Sequence, residues 1–216
     1  MKISYLAAAA IAALIATPAQ AEQGDWLLRG RAILVAPTEE SSGVKPSFAN
    51  DEVSVTNSFA PEVDVSYFIT DRLALELIAA TTKHNIKGKN GLSSIGELAD
   101  TRVLPPTLTL QYHFAPNAKI RPYVGAGVNY TLFYNEDASD GLEDAIGETN
   151  VKLDASFGYA LQAGVDFDLN EKIFLNVDVK YIDIDTEAKL TTGSLINRTK
   201  VSLDPIVLGV GVGMRF

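Results

Sequence analysis

The sequence closes on DPIVLGVGVGMRF, residues 204–216, with Gly209, Gly211 and Gly213 at every second position and an aromatic at the end. Closely spaced glycines suit two very different structures. A dinucleotide-binding turn follows its glycines with a helix whose N-terminus receives the phosphates. No helical pattern follows here, and the spacing GVGVG is not that of a phosphate turn. An extended strand instead sends alternate side chains to opposite faces. On that reading Ile206, Leu208, Val210, Val212, Met214 and Phe216 share one apolar face, and the three glycines share a bare one. Gly125 and Gly127, flanking Ala126, read the same way.

The alternation recurs along the chain. In GDWLLRGRAILVAP, residues 24–37, Trp26, Leu28, Ala32 and Leu34 oppose Arg29 and Arg31. In VSVTNSFAPEVDVSYFI, residues 53–69, Val53, Val55, Phe59, Val63, Val65 and Tyr67 oppose Glu62, Asp64 and Ser66. Leu73, Leu75 and Leu77 oppose Glu76, and Leu104, Leu108, Leu110 and Tyr112 oppose Thr107, Thr109, Gln111 and His113. Val124, Val128 and Leu132 then oppose Arg121 and Phe133; Leu153, Phe157, Leu161 and Val165 oppose Asp154, Gln162 and Asp166. Finally Ile173, Leu175, Val177 and Val179 oppose Asn176, Asp178 and Lys180.

These segments predict about eight strands, each long enough to cross a bilayer at a tilt. Short turns fall near 70–72, 115–120 and 169–172, and long polar loops near 38–52, 87–102, 136–150 and 187–199. Alternation of short and long connections around an even strand count is the habit of outer-membrane barrels. A soluble sandwich would put its polar face in water and would not sort its turns by length. The expected fold is therefore all-β: an eight-stranded antiparallel transmembrane β-barrel, both termini periplasmic, the long loops extracellular. Trp26, Tyr67, Phe68, Phe114, Tyr134, Phe167 and Phe216, near strand ends, are expected at the bilayer interfaces.

Composition and the leader agree with that assignment. MKISYLAAAAIAALIATPAQA, residues 1–21, has Lys2, a short apolar run and the small-x-small ending of a cleaved secretory signal. The expected mature domain, 22–216, has about 195 residues. The formal net charge is −9, or −10 without Lys2, which excludes a basic nucleic-acid footprint. No cysteine is present, so disulfides and thiolate chemistry are excluded. Localisation in the outer membrane of a Gram-negative bacterium follows, with outer-membrane lipids, lipopolysaccharide and the barrel-assembly machinery as expected partners. The oligomeric state is not legible.

LPPTLTLQYHF (104–114), RPYVGAGVNYTLFY (121–134), YIDIDT (181–186) and VSLDP (201–205), with the closing Phe216, resemble the OmpW family of outer-membrane proteins. The resemblance implies an eight-stranded barrel whose extracellular side holds a narrow hydrophobic channel or pocket. It also implies passage of small apolar molecules, and for some members service as a bacteriocin receptor.

With the termini in the periplasm, inward positions of the periplasmic half include Arg29, Arg31, Arg121, Glu62, Asp64, Glu76, Asp166, Asp178 and Lys180. An eight-stranded barrel is only wide enough to be filled by side chains, and buried charges need partners, so a salt-bridged floor is expected. The inward positions of the outer half are apolar: Ile33, Val35, Ile86, Val103, Phe133, Ile182, Ile184 and Leu203, with Ile78 as a candidate constriction. Leu92, Ile95 and Leu98 of the second loop add to them. Such a mouth suits small apolar solutes. A closed floor then calls for a sideways exit, and Pro105 and Pro106, which cannot donate ladder hydrogen bonds, mark either a candidate seam or plain strand termination.

No catalytic constellation, cofactor motif or metal-ligand set is expected. His84 and His113 fall at opposite predicted ends, and the acidic run EDASDGLEDAIGE, 136–148, lacks calcium-loop spacing and reads as a solvated loop. Three readings stand: a binding or conducting barrel for apolar molecules, a structural or surface-receptor barrel whose loops bind phage, bacteriocin or host ligands, and an envelope enzyme. The first is favoured.

Overall fold

The computed structural model describes residues 22–216; the expected leader, 1–21, lies outside the described residues. Strands follow in chain order as β1 (Trp26–Ala36), β2 (Glu40–Ser41), β3 (Val53–Val55), β4 (Ser58–Phe68) and β5 (Leu73–Ala80). Next come β6 (Thr82–Gly88), β7 (Glu97–Leu104), β8 (Thr107–His113), β9 (Ile120–Ala138) and β10 (Thr149–Leu153). The last are β11 (Ser156–Asp168), β12 (Ile173–Ile182), β13 (Asp185–Thr192), β14 (Leu195–Ser202) and β15 (Ile206–Arg215). A 3-10 turn at Asn90–Ser94 and a helix, α1 (Asp140–Ile146), lie in two of the connections.

Eight strands, β1, β4, β5, β8, β9, β11, β12 and β15, form a closed antiparallel barrel. Closure is made by β1 on β15, with Leu27 opposite Arg215 and Ala36 opposite Ile206. The turns at 69–72, 114–119 and 169–172 and both described termini share one end, where the backbones of Trp26 and Phe216 exchange hydrogen bonds of 2.9 and 3.2 Å. Toward the other end the strands break briefly at Thr81, Pro105-Pro106, Asp154-Ala155, Asp183-Ile184 and 203–205, then continue as β6, β7, β10, β13 and β14. Beyond the breaks the wall divides into two sheets, β3-β6-β7-β9 and β2-β14-β13-β10. Where β9 and β10 part, the Glu136 carboxylate accepts from the Leu153 amide at 3.3 Å and from Lys152 Nζ at 3.4 Å.

The barrel is inside out relative to a soluble protein. Leu28, Val63, Leu77, Leu110, Val128, Leu161, Val177 and Val210, one from each strand, are exposed, and Phe59 is 80% exposed. Their chain neighbours Arg29, Asp64, Glu76, Gln111, Asn129, Gln162 and Asn176 are buried. An apolar band running around a closed sheet has hydrocarbon, not water, as its solvent.

The terminal glycines now have a steric account. Gly213 lies between Arg29 and Phe174, Gly211 between Arg31 and Asn176, and Gly209 between Ile33 and Asp178 on the flanking strands. A methyl at Gly213 would strike the Phe174 ring; at Gly211, Arg31 and the Gly30 carbonyl; at Gly209, Asp178. The bare face makes room for the largest lumen side chains.

Several finer expectations are corrected. Val53 and Val55 share parity with outward Phe59 yet line the interior, because Thr56-Asn57 interrupts the strand and β3 pairs with β6. Leu153 turns inward for the same reason: Asp154-Ala155 separates it from outward Phe157 and β10 pairs with β13. Phe68 is not at an interface but wholly buried with Leu27, Ala74 and Phe174, sealing the short-turn end. About half of the stretch 87–102 is strand, and 187–199 is largely strand, a hairpin turning through Gly193 at φ +57. Part of the acidic run 136–148 is α1, capped by Ser139 Oγ accepting from the Leu142 amide at 3.1 Å, with Leu142 buried.

Gly211→Val should destabilise the barrel by about 1–3 kcal/mol through overpacking, whereas outward Val210→Leu should stay within about 0.5 kcal/mol. Urea unfolding in lipid vesicles measures both.

Candidate functional site

The lumen has two storeys. In the lower, toward the short-turn end, alternate positions of neighbouring strands place cations and carboxylates at hydrogen-bond distance. Arg29 Nη1 donates to Asp64 Oδ1 at 3.0 Å and Ser66 Oγ at 2.8 Å, and its Nη2 donates to Asp166 at 3.2 Å. Arg31 Nε donates to Glu62 Oε1 at 2.7 Å and its Nη1 to Asp178 at 2.8 Å, while its Nη2 lies 2.7 Å from Asp64. Lys180 Nζ donates to Glu62 Oε1 at 2.8 Å and Asp178 Oδ2 at 2.9 Å. Glu76 accepts from Thr109 at 3.0 Å and Gln162 at 2.8 Å and lies 3.4 Å from Arg29. Arg121 pairs with Asp168 and lies 3.7 Å from Asp166.

The nine charged residues singled out from alternation thus lie in one connected network. Asn176 and Tyr123, on the same inward faces, join it, as does Asp168, which had not been singled out. Asn176 donates to Asp166 at 2.8 Å and to the Tyr123 hydroxyl at 3.0 Å. Aromatic faces close it from below, the Arg29 and Arg121 guanidinium carbons standing 5.5 and 5.3 Å from the Phe174 ring centre. Ions this deep are held by one another and by neighbouring hydroxyl and amide groups, and the Arg29, Arg31, Asp64 and Glu76 side chains are 0% exposed. The storey is a plug.

Above it the lumen opens into a cavity of about 90 Å³. On that measure one water needs about 10–15 Å³, so the space is several waters in size. Ile33, Val35, Ile78, Ile86, Val103, Phe133, Ile182, Ile184 and Leu203 all line it. So do residues that strand parity did not point to. Val44 and Phe48 arrive from the connection after β1, Leu142 and Ile146 from α1, and Leu190 and Val201 from β13 and β14. A helical signal was present for α1, since Leu142 and Ile146 are four apart behind the capping Ser139. Nothing comparable marked Phe48, whose placement depends on a long connection folding back over the mouth. Leu92 and Leu98 line the roof, and Ile95 packs against the same cluster.

His84 lines the cavity, with Nδ1 2.7 Å from the Thr56 carbonyl and Nε2 3.0 Å from Thr82 Oγ1. His113 is in the lower storey, its ring 4.9 Å from Phe68 and 5.1 Å from Tyr123. The two histidines are not brought together, and among the described residues no group of three or more His, Asp or Glu could hold a metal.

One side of the cavity wall has an interrupted ladder. Pairing of β5 with β8 ends at Ile78 opposite Thr107, and pairing of β6 with β7 resumes at Thr82 opposite Val103. Ala80 and Pro105, which stand between, line the cavity. Pro106 stays bound on its other side, its carbonyl accepting from the Tyr130 amide at 3.1 Å. Pro105 and Pro106 therefore coincide with a gap in one seam and not in the next.

Comparisons with known proteins agree with this architecture. The family model described as the OmpW family matches residues 22–216. Outer membrane protein W of Vibrio cholerae is 36% identical over 220 residues, covering 100% of both chains. The dibenzothiophene metabolism operon protein PahQ of Pseudomonas aeruginosa is 29% identical over 210 residues, 94% of this chain and 93% of that one. The crystal structure of the outer membrane protein OprG from Pseudomonas aeruginosa superposes with a TM-score of 0.86 at 33% identity, covering 91% of this chain and 98% of that one.

Removing one cation from the plug leaves buried carboxylates uncompensated. Arg31→Met should cost about 3–5 kcal/mol, against less than about 1 kcal/mol for Lys83→Met, which breaks an exposed pair with Asp100 at 3.2 Å. Equilibrium unfolding of both variants in the same lipid measures the difference.

Proposed function

The chain belongs to the OmpW family of outer-membrane proteins, and from that premise we propose that it admits small hydrophobic molecules from outside the cell and releases them sideways into the membrane. The observation that carries this reading is the stacking of an apolar cavity on a closed ionic plug within one narrow lumen. A water-filled pore needs a continuous polar path, and here the plug bars one. An apolar guest gains roughly 25 cal/mol for each Å² of its surface buried in the cavity.

The short turns and both termini face the periplasm, and the long connections face outward, following the usual disposition of such barrels. The cavity then opens to the exterior and the plug faces the periplasm. Phe48, Leu92 and Leu142 roof the cavity from three separate connections, so entry requires small displacements of loop elements and leaves the barrel intact. Exit uses the interrupted ladder. Between Ile78–Thr107 and Thr82–Val103 no strand pairing has to be broken, and Ala80 and Pro105 separate the cavity from lipid. The name of the relative PahQ, which places that protein in an operon of dibenzothiophene metabolism, agrees with an apolar cargo. Lipopolysaccharide and the barrel-assembly machinery are the partners this location implies.

Two measurements test the proposal. In vesicles, Phe133→Asp should lower uptake of a small aromatic hydrocarbon about tenfold or more while heat-modified gel migration stays that of a folded barrel. A disulfide between cysteines at Thr81 and Leu104, across the seam, should block uptake reversibly, and reduction should restore it. Uptake unchanged by the cross-link counts against the lateral route, and uptake unchanged by Phe133→Asp counts against the cavity.

A further inference from the structure

We propose that the preferred guest is amphipathic: a neutral molecule with a hydrocarbon body and one hydroxyl, seated head-down on Lys180 and Glu62. This rests on the cavity reading above and adds which end of the guest goes where and which head is accepted.

Among the residues lining the cavity, Glu62 and Lys180 are the charged ones; Arg29, Asp64, Glu76 and Asp166 lie deeper and do not reach it. Their bonding leaves capacity to spare. A lysine ammonium carries three N–H donors, and Lys180 spends two, on Glu62 Oε1 and Asp178 Oδ2. Glu62 Oε1 accepts from both Arg31 Nε and Lys180 Nζ, and its Oε2 takes part in neither bond. One donor and one acceptor are thus unspent on two paired residues where the ionic storey meets the apolar one. The next inward residue on β12 is Ile182, so hydrocarbon contact begins one step above the ammonium.

An alkane filling the cavity would leave that donor and acceptor facing hydrocarbon, an unfavourable arrangement for groups already removed from water. A hydroxyl satisfies both. Its O–H donates to Glu62 Oε2, and its oxygen accepts the third Lys180 proton. Charge then selects among heads. In the plug Arg29, Arg31, Arg121 and Lys180 face Glu62, Asp64, Glu76, Asp166, Asp168 and Asp178, an excess of carboxylates over cations. A carboxylate head adds to that excess and is disfavoured against an alcohol of equal chain length.

The test uses the folded protein in lipid nanodiscs with isotope-labelled isoleucine methyl groups, titrated with 1-decanol, decane and decanoate at pH 8, with affinities corrected for lipid partitioning. Decanol should bind about tenfold more tightly than decane, as expected for a hydrogen bond to a charged group, and decanoate more weakly than decanol. The carbinol protons of decanol should show nuclear Overhauser contacts to Ile78 and Ile182, and its terminal methyl should not. The double variant Glu62→Leu/Lys180→Met should bind decanol no more tightly than decane. Equal binding of decanol and decane to the wild type, or reversed polarity of the contacts, overturns the proposal and leaves the cavity reading standing. Failure of all three ligands to bind overturns both. If the double variant does not fold, the wild-type contact polarity decides alone.

Discussion

Closure of the sheet is the constraint from which the other features descend. Backbone N–H and C=O groups in hydrocarbon have no water to turn to, so a strand-built span must pair both edges of every strand. Here the ring closes through β1 with β15 and β9 with β11. A ring of eight is narrow enough to be filled by side chains. That narrowness converts the inward charges from solvated groups into buried ones, and buried charges persist only as a mutually bonded set. The plug, the glycines that make room for it and the exclusion of a wide aqueous channel are three consequences of one geometric fact.

The two storeys divide the work by solvent. The lower holds ions that have exchanged water for one another, with Phe68 and Phe174 closing it from below. The upper holds aliphatic side chains from several strands and from the roof elements carrying Phe48, Leu92 and Leu142. Such a lumen has paired ions at its floor and apolar surface at its mouth. Lys180 and Glu62 stand on the boundary and belong to both storeys.

The breaks in the strands lie toward one end, where the closed ring gives way to two sheets. Within the ring the backbone has little freedom, because a missing ladder bond would face hydrocarbon. Beyond it side chains substitute for ladder bonds, as Glu136 does between β9 and β10, and Ser41 Oγ with the Val53 amide at 2.9 Å. The two prolines at 105–106 sit at this transition. They loosen the seam with β5 and β6, while the Pro106 carbonyl holds to β9.

Parity alone settled which residues face lipid and which face the lumen wherever a strand runs unbroken, because the side-chain period of an extended chain is two and does not depend on the partner strand. Arg29, Arg31, Glu76, Lys180 and the three terminal glycines were legible on that basis, as were the strand count and the sorting of connections by length. Parity failed where the chain breaks and restarts. Val53, Val55 and Leu153 changed face because a two-residue interruption resets the phase, and no local signal announces it. Which cation meets which carboxylate was also beyond the sequence, since Arg29 and Asp166 are brought together only by strand tilt and ring closure. The same holds for the roof: Phe48 and Leu142 reach the cavity because their loops fold inward, and that direction is set by an apolar space that exists only once the barrel has formed.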